Sequence, residues 1–165
     1  MALFTIALLI FLPMLVEAGR AARNERAQRA RGGIEPRDDV YPAMRFAYPA
    51  AFLAMLAEGA VRGTPSTGVV AAGVAVFTLA KVIKWSAILA LGPAWTFRVI
   101  VVPGDRLVAT GPYRFVRHPN YIGVVGELAG AALMTGARVA GPVALFVFGA
   151  LLLKRIAVEE RALKI

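Results

Sequence analysis

The chain contains no cysteine, which removes disulfides, thiolate nucleophiles and thiolate metal sites together. It has a single histidine, too little for a His-rich centre, so no metal site is expected. Acidic residues are also scarce, 10 against 19 lysines and arginines, leaving a net charge of +9. In a membrane protein such an excess reports topology and anionic lipid before nucleic acid, and nucleic-acid binding is not expected. What is abundant is apolar sequence: 59% of the residues are hydrophobic and the mean hydropathy is +0.68. A soluble domain is rarely so apolar. The expected fold is all-α, one integral membrane domain over residues 1–165 with about five transmembrane helices across a bilayer core of about 30 Å.

Residues 1–16 are apolar, and the positive charges follow them, at Arg20, Arg23, Arg26, Arg29 and Arg31. A signal peptide carries its charge ahead of the apolar run, so this segment reads as an anchor that stays. The arginines recur every three residues along a helix leaving the membrane, a solvated or phosphate-binding stripe. Gly32, Gly33 and Pro36 end it. Second and third spans are expected over Pro42–Ala60 and Thr67–Leu91, with Lys81 and Lys84 snorkelling at the exit and Trp85 and Trp95 in the interfacial belt. Residues 92–118 form a long connection whose ordered-looking composition favours function. Pro119–Thr135 and Val139–Leu153 read as a helical hairpin, with Gly123, Gly126 and Gly130 giving a face that another helix can approach closely. The tail from Lys154 to Leu163 continues the last helix into water. Five spans put fourteen basic residues on one side and only Arg62 and Arg138 in the opposite loops. The N-terminus is therefore expected outside, and the 92–118 connection and the C-terminus in the cytoplasm.

Within Gly111–Gly123 lie two arginines, the histidine and two tyrosines. Pro119 suits the first position of a helix capped by His118, and the N–H groups of Asn120, Tyr121 and Ile122 would then form an anion site. A basic juxtamembrane cap with an aromatic anchor is the alternative. Arg155 and Glu159, four apart, share one helix face on the same side of the membrane. Glu127 is an ionisable group at membrane depth, read either as functional or as a hydrogen bond across the helix pair.

Leu107-Val-Ala-Thr-Gly-Pro-Tyr113, Arg117-His-Pro-Asn-Tyr-Ile-Gly123 and Arg155-Ile-Ala-Val-Glu-Glu160, in that order, resemble the isoprenylcysteine carboxyl methyltransferase family of integral membrane enzymes. The N-terminal span with its arginine-rich helix is similar to a bacterial branch that includes alkylpyrone and alkylresorcinol O-methyltransferases. The resemblance implies S-adenosyl-L-methionine bound from the cytoplasmic side by Arg98, Asp105, Arg106, Leu107, Val108, Tyr113, His118, Pro119, Asn120, Tyr121 and Glu159. Arg155 would face the substrate, and Arg155 and Glu159 would carry the chemistry. The implied activity is O-methylation of a membrane-dissolved lipid, a phenolic or pyrone polyketide-type lipid first and a prenylated cysteine carboxylate second. A non-catalytic membrane protein whose basic face binds anionic lipid is the competing class. The chain lacks the extra N-terminal spans of the eukaryotic enzymes, and it has no Gly-x-Gly loop to support a Rossmann cofactor site.

Overall fold

The computed structural model describes residues 2–63 and 65–164. Five helices follow one another: α1 (Ala2–Ala30), α2 (Tyr41–Arg62), α3 (Thr67–Leu91), α4 (Pro119–Thr135) and α5 (Ala140–Leu163), with short 3-10 turns at Gly92–Ala94 and Gly111–Arg114. No strand occurs among the described residues; the β-branched run before Pro103 makes only an isolated antiparallel bridge, Val101 to Ile34. Three stretches, Ala2–Ala30, Thr67–Ala94 and Ala140–Leu163, are long and apolar enough to cross a membrane by length and composition. Their outward residues, among them Leu15, Leu79, Phe146 and Leu153, are exposed, as lipid-facing side chains are. The expected anchor and arginine stripe are one continuous α1.

The core forms where apolar faces of all five helices meet, with Ile10, Phe52, Met55, Leu128 and Met134 almost wholly buried. The helix α4 runs through the middle, and glycines decide how. A Cβ on Gly130 would lie 2.7 Å from the Phe77 nitrogen, and one on Gly73 2.7 Å from the Met134 nitrogen, so α3 and α4 touch backbone to backbone. The small-residue face foreseen for α4 is therefore in use, but its tightest partner is α3 rather than the α5 of a hairpin. At the far end of α4, Gly136 turns left-handed (φ 67°) while its N–H and that of Ala137 close onto the Ala132 and Leu133 carbonyls. The N-terminus of α5 then meets the end of α2, where Glu58 accepts hydrogen bonds from the backbone N–H groups of Arg138, Val139 and Ala140.

Beyond the apolar part of α1, one face turns inward. Ala21 and Gln28 are buried. Asn24 donates to the carbonyls of Gly92 and Trp95 at 3.0 and 2.7 Å, and Gln28 donates to that of Pro93 at 2.9 Å. Arg23, Arg26 and Arg29 of the expected stripe occupy the exposed side, whereas Arg20 is half-buried. Trp95, foreseen in the interfacial belt, is instead 3% exposed, packed on Ala21 and Ile88, because α1 and the 92–95 turn close over it.

Candidate active site

A cavity of about 760 Å³ opens among all five helices and the 92–118 connection. Every residue that the resemblance assigned to cofactor or substrate lines it except Pro119, which is buried at the first position of α4. Residues from sequence positions 98 to 159 thus converge on one chamber.

Its sharpest feature is the junction of α4 and α5. The Tyr121 hydroxyl donates to Glu159 at 2.5 Å and accepts from Arg155 Nε at 3.2 Å. Tyr121 reaches α5 because Pro119 starts the helix two residues earlier, with the His118 imidazole stacked on its ring, centroids 5.5 Å apart. The His118 imidazole in turn lies 3.2 Å from Glu160 and 4.0 Å from Glu159. Glu159 and the burial of Tyr113 act on the same phenol: burial first, then that carboxylate, push the Tyr113 hydroxyl well above its ordinary value of 10.0, so it is neutral and a donor at physiological pH.

Arg155 is far from the water-exposed tail that the sequence implied. It is 5% exposed, with Nη1 donating to Asp39 at 2.5 Å and Nη2 to the Phe97 carbonyl at 2.8 Å. A guanidinium at the membrane surface turns inward when buried acceptors await all its nitrogens, and the carboxylate responsible comes from the α1–α2 connection. The proposed anion site at the start of α4 also needs correction. The Tyr121 and Ile122 N–H groups both bond to the His118 carbonyl, at 3.1 and 3.4 Å, so they are not free to receive an anion. The Asn120 side chain accepts from Trp95 Nε1 at 3.3 Å.

Two of the softer assignments line the rim. Arg98 donates to Glu35 at 2.6 Å, lies 3.6 Å from Glu25 and sits over the Tyr41 ring at 4.7 Å; the Glu35 hydrogen bond in particular holds its guanidinium even more firmly protonated. Asp105 pairs with Arg31 at 2.5 Å. Both fasten the end of α1 to the 92–118 connection and so shape the mouth.

Deeper in, a feature appears that hydropathy could not reveal. Lys81 and Lys84 do not snorkel. Lys84 lies 2.7 Å from Glu17 and 3.2 Å from Glu127; Lys81 lies 3.0 Å from Glu17 and 2.9 Å from Glu127. Glu127 also accepts a hydrogen bond from the Tyr48 hydroxyl. Glu17, Glu127 and Lys84 are at most 3% exposed. Four helices thus meet at two carboxylates and two ammonium groups of balanced charge, six residues, or about 9 Å, along α4 from Tyr121. Glu127 therefore exceeds the single cross-helix hydrogen bond considered for it. Glu17, Tyr48 and Lys84 face the cavity, alongside the apolar Phe11, Met14, Phe148 and Leu152.

The chamber is thus polar at the Tyr121–Arg155–Glu159 end and mainly apolar beyond, and its volume lies within the roughly 300–1,000 Å³ typical of small-molecule sites. Among the described residues no cluster of three or more His, Cys, Asp or Glu could hold a metal.

The chain is 32% identical over 161 residues to the uncharacterized protein YpbQ of Bacillus subtilis (strain 168), covering 96% of this chain and 94% of that one. It is 26% identical over 142 residues to an uncharacterized protein of Haemophilus influenzae (strain ATCC 51907 / DSM 11121 / KW20 / Rd), covering 86% and 83%. No solved structure matches significantly. Residues 72–165, from within α3 to the C-terminus and including Tyr121, Arg155 and Glu159, match the family model of the isoprenylcysteine carboxyl methyltransferases. The chain belongs to the isoprenylcysteine carboxyl methyltransferase family, a family of membrane methyltransferases.

Proposed function

We propose that the protein transfers a methyl group from S-adenosylmethionine to an oxygen of a membrane-dissolved lipid, a phenolic or pyrone polyketide-type lipid first. The reaction takes place at the cytoplasmic face of a bacterial cell membrane. The observation that carries this reading is the junction of α4 and α5: Tyr121 bonds Arg155 and Glu159 at once on the wall of a chamber that is polar at that end and mainly apolar beyond. Family membership supports methyl transfer. The two-ended chamber supports a polar donor and a lipid acceptor meeting in one space.

The donor set suits a sulfonium nucleoside. Glu159 is a carboxylate for ribose hydroxyls and for positive charge, Trp95, Leu107, Val108 and Tyr113 offer flat and apolar surface for an adenine, and His118 and Asn120 add polar contacts. When bound, such a donor supplies a methyl group on a positively charged sulfur. The protein then has to orient and exclude. Arg155 fixes the Tyr121 hydroxyl, Asp39 fixes Arg155, and Phe148 and Leu152 keep water from the lipid side. For an in-line displacement, holding the reacting atoms in line inside a dry site accounts for much of the acceleration.

The test is cofactor binding by the purified full-length chain in detergent, measured by equilibrium dialysis with labelled S-adenosylmethionine. Wild type is expected to bind saturably, and His118→Ala and Glu159→Ala to lose about ten-fold or more in affinity, roughly 1.4 kcal/mol, with helical content and thermal unfolding retained. Equal binding by all three proteins would defeat the assignment.

A further inference from the structure

We infer that two exposed arginine–phenylalanine pairs, Arg45–Phe46 in the second turn of α2 and Arg114–Phe115 just before α4, seat the phosphates of anionic phospholipids at the edge of the chamber. The inference is independent of the methyl-transfer reading and starts from charge. Each of the ten carboxylates in the chain already has a basic side chain within 4.0 Å. Among the described residues Arg45 and Arg114 belong to none of these ion pairs. Each guanidinium instead sits over the ring of the residue that follows it, 4.6 Å from the Phe46 centroid and 5.2 Å from that of Phe115. A cation on an aromatic face keeps its N–H groups free for an anion on the other side. The protein itself has no carboxylate left to supply one.

Both pairs stand at one end of the bundle. Asp39, two residues before α2, and Tyr121, two residues into α4, bond the same Arg155 guanidinium, so α2 and α4 begin at one level. Lipid-facing surface begins there too. Phe46 and Leu53, seven residues apart, lie on one side of α2, Ile122 and Val125 lie on one side of α4, and all four are exposed. The ring of Phe46 is 65% exposed and that of Phe115 79%, with exposed Val116 beside it. Large apolar side chains uncovered at that level, each under an arginine, suit the headgroup layer: the ring enters the upper acyl chains and the guanidinium meets the phosphate. Arg45 also lines the chamber, as does Arg117, three residues beyond Arg114, so the seated lipids border its opening. A zwitterionic headgroup brings its own cation to a surface already rich in positive charge. An anionic one does not, and is preferred.

The test follows thermal unfolding of the full chain in a neutral maltoside detergent, with phosphatidylglycerol or phosphatidylcholine of identical acyl chains added to the micelles. At about ten times its dissociation constant, phosphatidylglycerol should raise the wild-type melting temperature by about 3–6 °C over the phosphatidylcholine sample. Arg45→Gln combined with Arg114→Gln should lose most of that rise. Arg23→Gln combined with Arg26→Gln removes the same charge from exposed arginines that no phenylalanine follows, and should keep it. Equal melting of wild type in the two lipids, or equal losses in the two double variants, would overturn the inference. Because the chain has no cysteine, a nitroxide placed on Val116→Cys reports the position separately, even if the arginine variants do not fold. In vesicles containing phosphatidylglycerol its collisions with oxygen should exceed those with a water-soluble nickel chelate, and the reverse order would equally overturn the inference.

Discussion

Replacing Lys84 by methionine tests the buried charge cluster directly. The side chain keeps its length and apolar stem, so the change removes chiefly the ammonium that bridges Glu17 at 2.7 Å and Glu127 at 3.2 Å. Lys81 alone then faces two carboxylates that are each 1% exposed. Leaving a buried charge uncompensated costs about 3–5 kcal/mol. At about 2–4 °C per kcal/mol for a chain of this size, the purified protein in detergent should melt roughly 6–20 °C lower. Lys84→Met combined with Glu127→Gln restores balance, with Lys81 facing Glu17, and should recover about 1–3 kcal/mol of that loss as coupling in a double-mutant cycle. Should the single variant melt within a degree or two of wild type, or the double variant lose the plain sum of the two single losses, the cluster would not be the charge-balanced bolt described here.

Two further outcomes follow from particular contacts. Gly130→Ala places a methyl group 2.7 Å from the Phe77 backbone nitrogen and should destabilise by about 1–3 kcal/mol, whereas Gly149→Ala, with nothing within 4 Å of its Cβ, should be neutral or gain up to about 1 kcal/mol of helix propensity; thermal unfolding of the pair decides. Burial alone would raise the Glu35 carboxyl, but hydrogen bonds and charge from Arg98 and Arg29 hold it below its ordinary 4.5. A group depressed in the folded state stabilises above its unfolded value, so the melting-temperature advantage of wild type over Glu35→Gln should be full at neutral pH and shrink as pH falls through and below 4.5. An advantage independent of pH would contradict that ion pairing.

How much could be read from the chain alone follows from where the information lies. The helices were legible because apolar length and glycine or proline punctuation are local, and Pro119 with His118 marked the start of α4 on the same grounds. The convergence of residues 98–159 on one chamber came through motif resemblance, since spacing along the chain does not say what meets in space. Asp39 was missed because two aspartates, Asp38 and Asp39, between Pro36 and Pro42 look like any polar turn; only the fold brings Asp39 to Arg155, 116 residues away. Lys81 and Lys84 were misplaced for a related reason. Snorkelling assumes that the nearest water is the best partner for an ammonium, and here Glu17 and Glu127 lie closer. An isolated acid in one apolar segment and two bases in another was the available signal, and hydropathy averages it away.

The embedded ionic cluster also has a consequence for biogenesis. Glu17 leaves the ribosome 64 residues before Lys81 and 67 before Lys84, so the first segment enters the bilayer carrying an acid whose partners have not yet been synthesised. That acid must wait, protonated or shielded by the insertion machinery, until the third and fourth segments arrive. Only when α3 packs against α1 does that acid meet the two lysines that balance its charge.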